Sequence, residues 1–203
     1  MQVPERVAAS LVAAGRWFDA QGWVPATAGN FSARLPGGLV AITRSSVHKG
    51  QLANADIITV DMDGRATDPA QRPSAETLLH CGIYRRFSDA GAVLHGHSIA
   101  NTVLSRLAGA SIRLAGYELL KVFPGLPTHD ADIHLPVFDN DQDMARLQAV
   151  VDAAWDKAGM IVPGYAIRGH GTYVWARDVE GAKHRFEALE FLLRCEMEER
   201  RLR

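Results

Sequence analysis

The chain reads as an α/β protein with a mostly antiparallel sheet covered by helices, and three observations predict this. Short apolar runs joined by tight turns, such as "NFSARLPGGLVAIT" and "IITVDMDGRAT", have the form of β-hairpins. Segments with apolar residues three or four apart lie between and around them. Strands and helices also fail to alternate strictly, as a parallel βαβ sheet would require. The 203 residues are expected to form one domain spanning 1–203, large enough to bury a core without staples.

The elements follow in order. Val7, Leu11, Ala14 and Phe18 mark one face of a first helix, opened by Pro4 and stopped near Gly22. The two hairpins turn at Pro36-Gly37-Gly38 and at Asp63-Gly64. A helix is predicted over about 75–87 with Ser74 as its N-cap. "AGAVLHGH" reads as a strand, "SIANTVLSRLAG" as a helix ended by Gly109, and "ELLKVFPG" as a short helical piece. "DIHLPVF" is a strand whose interior proline predicts an edge position. "DMARLQAVVDAAWDKAG" is an amphipathic helix closing at Gly159, and "YAIRGHGTYVWA" gives two strands broken at Gly169-His170-Gly171. Asp178 caps a last helix, with Ala182, Phe186, Leu189 and Leu193 on one face.

A formal net charge of −1 without long like-charge blocks removes the field argument for nucleic-acid or membrane-surface binding, so an anionic partner must be held by a local site. Cys81 and Cys195 fall in helical patterns and read as small buried apolar residues of a reducing compartment. No apolar stretch approaches a membrane span, and Glu5 and Arg6 interrupt the place of a signal-peptide centre. A cytoplasmic protein is expected.

His95 and His97 flank a single glycine at the end of an apolar run. Residues i and i+2 of a strand share a face, so both imidazoles can reach one ion. Alone, the pair is a weak signal that reads more readily as two surface or structural histidines. A catalytic zinc commonly takes three protein ligands. His48, His80, His129, His134, His170 and His184 are the candidates for the third. His80 and His184 fall on helices, where a solvated face is expected. His170, between two glycines and two apolar strands, is the best third ligand on local grounds.

Such a site needs an acid/base. Glu118 stands out because its apolar neighbours could raise its pKa, and Glu76 in "SAET" is the second candidate; each also reads as an ordinary helix-surface glutamate. Three loops rich in small and hydroxyl residues, "TAGN", "TRSS" with the following "HKG", and "RPSA", suggest an anion site, the last opening a helix.

The ordered set "PATAGNFSAR", "AITRSS", "RPSAET", "AVLHGHS" and "RGHGTYVW" resembles the class II aldolase/adducin family over nearly the whole chain. "SAETLLH", "YELLK" and "PVFDNDQD" are most similar to its bacterial methylthioribulose-1-phosphate dehydratase branch. The resemblance implies a three-layer α/β/α domain, assembled as a homotetramer, with one Zn²⁺ per subunit on His95, His97 and His170. It implies a phosphate cradle from Gly29-Asn30, Ser45-Ser46 and Ser74, with Ser46 where many relatives have glycine, Ala75 where aldolases have a second serine, and Lys49 as a supplementary charge. The implied substrate is a small sugar phosphate, 5-methylthioribulose 1-phosphate, dehydrated in methionine salvage, with neither nucleic acid nor membrane as partner. In the dehydratases the position of Glu118 is the expected proton carrier, whereas in sugar-phosphate aldolases it is that of Glu76. Tyr117 or Phe123 could face the methylthio group. The alternatives are a zinc-dependent sugar-phosphate aldolase or 4-epimerase, and a metal-free scaffold like the adducin head, which would lack the three histidines.

Overall fold

The computed structural model describes residues 3–158 and 162–203. Eight strands form one sheet, β1 (Asn30–Leu35), β2 (Leu39–Thr43), β3 (Ile57–Asp61), β4 (Ala92–Gly96), β5 (Ser111–Ala115), β6 (Asp132–Phe138), β7 (Gly164–Ile167) and β8 (Thr172–Ala176). Five α-helices accompany it, α1 (Glu5–Ala20), α2 (Thr77–Arg86), α3 (Ile99–Leu107), α4 (Met144–Lys157) and α5 (Val179–Leu202). Gly159, where the sequence closes α4, lies outside the described residues.

The strand order is β3-β2-β1-β4-β8-β7-β6-β5. Every pairing is antiparallel except β6 with β7, which are connected through α4 as a parallel pair must be. The α1–α5 side of the sheet buries Leu11, Phe18, Phe31, Leu94, Phe186 and Leu189. The α2–α4 side buries Ile42, Val93, Trp155, Tyr165, Tyr173 and Trp175. These two cores make the expected α/β/α layering. No described helix is long and apolar enough to cross a membrane, and Cys81 and Cys195 are free.

Three local expectations change. The strand at Asp132–Phe138 is interior, and the edge is β5, a segment with no element predicted for it. Pro136 is tolerated because Val137 donates to Ala110 on the β5 side, while pairing to β7 covers only Val137 and Phe138, so no ladder donor is missed at the proline. The turn at Asp63-Gly64 returns only to a single bridge, Val60 to Ala66, in place of a second strand. Helix α2 begins at Thr77, and Ser74 instead accepts from the Glu76 amide at 3.4 Å within the preceding turn.

The alternation of strand directions puts the start of β1, the ends of β2, β4, β6 and β7, and the start of β8 at one end of the sheet. The loops at that end carry most of the chemistry-bearing residues.

Candidate active site

His95 is buried on β4 and His97 follows the last strand residue, its backbone N–H donating to the Trp23 carbonyl oxygen at 2.7 Å. His170 sits in the β7–β8 turn, and the Thr172–Gly96 and Tyr173–His95 pairings bring that turn against the end of β4. A side chain at Gly171 would drive its Cβ to 2.6 Å from the His95 ring, so only glycine permits this approach. One ring nitrogen from each of His95, His97 and His170 lies within 4.8 Å of the others.

The donor set fits a metal ion. His95 Nδ1 is 3.1 Å from the Thr172 carbonyl oxygen, which can only accept, so the ring proton resides there and Nε2 carries the lone pair. That Nε2 is buried and makes no hydrogen bond. Burial holds both His95 and His97 in the neutral form, His97 at about 4. A neutral His95 with an unpaired ring nitrogen, converging with His97 and His170, is a donor set that could hold a metal ion.

Glu76, not Glu118, stands beside this triad. Its Oε1 is 2.8 Å from His170 Nε2 and its Oε2 is 3.3 Å from His95 Nε2. Burial pushes its carboxyl up, while hydrogen bonds from the His170 ring and the Asn30 amide pull it down, and it stays ionised.

Behind Glu76 runs a buried relay that the sequence reading missed. Asn30 Nδ2 donates to Glu76 Oε2 at 2.6 Å, and Asn30 Oδ1 faces His80 Nε2. His80 Nδ1 is 2.6 Å from Ser32 Oγ, which is 2.8 Å from Tyr84 Oη. Because the carboxylate only accepts, every later direction follows: His80 donates from Nε2 to Asn30 and accepts at Nδ1 from Ser32, which accepts from Tyr84. His80 is therefore a fully buried neutral ring, pushed down to about 3 by burial, and not the solvated residue expected of it. The missed signal is the i+4 spacing from Glu76 to His80 to Tyr84, which lines three polar groups along one helix face. Replacing His80 with phenylalanine should cost about 1–3 kcal/mol for each polar group left unpartnered. A denaturant midpoint that does not fall, with the slope unchanged, would contradict this relay.

The anion loops converge on the same place. A cleft of about 340 Å³ is lined by Gly29, Asn30, Ser45, Ser46, Lys49 and Ser74 on one side, and it includes Glu76, His97 and His170. Gly29 has φ +77°, and a Cβ there would meet the His95 carbonyl oxygen at 2.8 Å. Ser46 has φ +65°, a left-handed conformation that glycine would adopt without strain. Lys49 is buried, donating to Thr27 O at 2.8 Å and Val47 O at 2.7 Å, and burial pushes its amine down to about 8 against the pull of Glu76. Asn30 lines the cleft, but its amide is engaged by Glu76 and His80. A larger cleft of about 550 Å³ between the start of α1 and β3 contains no histidine.

Glu118 lies elsewhere. It opens a 3₁₀ turn, Glu118–Val122, that follows β5, pairs with Lys121, and has a side chain 67% exposed. The Lys121 ammonium holds its carboxyl below the usual range, so the apolar neighbours in sequence do not raise it. Ala115 pairs with Asp132 at the end of the sheet away from the triad. Four strand spacings from β4 to β5 amount to about 19 Å, and the strand length adds a similar offset. Within one chain Glu118 cannot reach His95. Phe123 is core, Tyr117 donates to Glu196, and neither lines the cleft.

Comparison with known proteins agrees with this architecture. Residues 9–197 match the family model "Class II Aldolase and Adducin N-terminal domain". The chain is 57% identical over 193 residues to a methylthioribulose-1-phosphate dehydratase of Gluconacetobacter diazotrophicus, covering 95% of this chain and 93% of the relative. It is 57% identical to that of Acidiphilium cryptum, covering 97% and 92%. The L-fuculose-1-phosphate aldolase structure from Thermus thermophilus superposes with a TM-score of 0.77 at 25% identity, covering 97% of this chain and 95% of that one. With its three-layer fold, its histidine triad and a family match spanning most of its length, the chain belongs to the class II aldolase and adducin family.

Proposed function

We propose that this protein dehydrates 5-methylthioribulose 1-phosphate to 2,3-diketo-5-methylthiopentyl 1-phosphate, a hydro-lyase step of methionine salvage. The observation that carries the reading is the joining of the histidine triad to a cationic, hydroxyl-lined cleft, in a chain more than half identical to dehydratases of that name. Zinc is the proposed metal, and His95, His97 and His170 would hold it. When bound, it supplies Lewis acidity toward the substrate's carbonyl and hydroxyl oxygens.

The chain's own residues do the rest. Gly29, Ser45, Ser46, Lys49 and Ser74 hold the phosphate, so carbons 2 and 3 fall beside Glu76. Asn30 acts through Glu76, fixing its carboxylate. A base removes the C3 proton, the C4 hydroxyl leaves as water after protonation, and the resulting enol tautomerises to the diketone. Glu118 is the proposed base, contributed by a second copy of the chain, since its own triad lies beyond reach. Exposed Ile99 (77%) and Leu107 (69%) on α3, directly after His97, offer apolar surface for such an assembly, proposed as a homotetramer in the cytoplasm.

Glu76 on the triad favours a second reading, an aldolase or 4-epimerase in which Glu76 moves the proton. Incubation with methylthioribulose 1-phosphate separates the two. Loss of water supports dehydration; C3–C4 cleavage without it supports the alternative.

Lys49 gives a pH signature. Its free-enzyme amine titrates at about 8, so kcat/KM should fall as the pH rises through that value, when the cation facing the phosphate is lost. Lys49→Met should show a low, flat profile over the same range. A flat wild-type profile would remove Lys49 from phosphate binding.

A further inference from the structure

The dehydratase reading leaves one end of the substrate without a partner, and the order of loops along the sheet end supplies it. The phosphate loops rise from β1 and β2, the triad from β4 and the β7–β8 turn, and the segment 139–144 from the end of β6. Phosphate site, triad and this segment therefore lie in sequence across the sheet. A linear substrate anchored by its C1 phosphate on the β1–β2 side, with its reacting carbons at the triad, must direct C4 and C5 toward the β6 side.

The segment that receives them is "DNDQDM". Asn140 Oδ1 lies 3.5 Å from His170 Nδ1, so the segment abuts the triad itself. Asp141 accepts from the Asp143 amide at 2.9 Å and from the Arg146 guanidinium at 2.6 Å, which braces the turn. Asp143 then caps α4 by accepting from the Ala145 and Arg146 amides. Gln142 and Met144 project into the cleft. Met144 is the one long apolar side chain among the described residues lining it; the others are polar, charged, glycine or alanine. It is half-buried, with its inner flank packed on the α2–α4 core.

We propose that Met144 forms the subsite for the methylthio end of the substrate and is a specificity-determining residue, an inference that rests on the dehydratase reading. A thioether on a rigid helix start presents a polarisable, adaptable apolar surface, suited to another thioether. The polar remainder of the cleft would disfavour a methylthio group placed anywhere else in it.

The test compares 5-methylthioribulose 1-phosphate with 5-deoxyribulose 1-phosphate, which lacks only the methylthio group. Wild type should favour the first by about tenfold or more in kcat/KM, the range that apolar groups of this size command in a fitted pocket. Met144→Gln keeps side-chain length and helix preference, and should bring the ratio close to one; Met144→Leu should retain most of it. Equilibrium binding of the corresponding unreactive ribitol 1-phosphates should lose the same preference, a change that a merely structural role for Met144 would not produce. A ratio unchanged in Met144→Gln, or a wild type that handles both compounds equally, overturns the subsite while leaving the dehydratase reading intact. A wild type that dehydrates neither compound overturns both.

Discussion

His170→Ala is expected to lower kcat/KM on methylthioribulose 1-phosphate by on the order of 10³-fold or more, and to abolish stoichiometric metal in the purified protein. Lewis-acid polarisation of a carbonyl is worth several kcal/mol of barrier, and each 1.36 kcal/mol is a factor of ten, about 4 kcal/mol making 10³. His170 is the informative member of the triad because its side chain is only partly buried, at 17% exposure, on a turn. His95 is fully buried and stacked on Tyr173 with centroids 4.0 Å apart, so replacing it would confound lost ligation with lost packing. His170→Ala should therefore melt close to wild type. Chelation of the wild-type protein should reproduce the loss, and added zinc should reverse it. A variant that keeps both metal and turnover would remove the triad from the chemistry.

Glu118→Gln is expected to lower kcat by about 10²–10⁴-fold, the usual scale for a general base, while metal content stays intact. The more decisive experiment mixes this variant with His170→Ala after dissociation and reassembly. If base and triad come from different copies, random pairing makes about one quarter of the sites whole, with a triad from one variant facing a glutamate from the other. Activity near that fraction, from two nearly inactive preparations, follows only from a shared site. Verified mixed oligomers without recovered activity, or a fully active Glu118→Gln, would return the proton transfer to Glu76. The pair of outcomes also separates the dehydratase reading from the aldolase one, since the latter needs no second carboxylate.

The elements that carry local periodicity were legible in the sequence. The helix faces at Val7–Phe18 and Ala182–Leu193, the strand before His95 and the break at Gly169–Gly171 all appear where residue spacing puts them. The histidine triad was legible for the same reason: two of its members share one strand end, and the third sits in a turn whose glycines admit a close neighbour. The β5 edge was not, because its alternation, Ile112 and Leu114 buried on either side of exposed Arg113, spans only five residues. Buried His80 was misread because a polar residue on a helix counts as solvent-facing unless its partners are known, and Asn30 and Ser32 are some fifty positions away.

Family membership, the order of the loops and the three histidines of the triad could be read along the chain, since short motifs carry them: His95 and His97 two apart at one strand end, and His170 between two glycines. Which glutamate stands at the triad, which histidine supports it, and the place of Met144 in the cleft emerge only from the packed chain. Those relations depend on strand order and direction, which set the end of the sheet a loop occupies. Glu76 and Glu118 are alike as residues in the chain, but β5 carries one of them away from the triad while the turn before α2 holds the other against it.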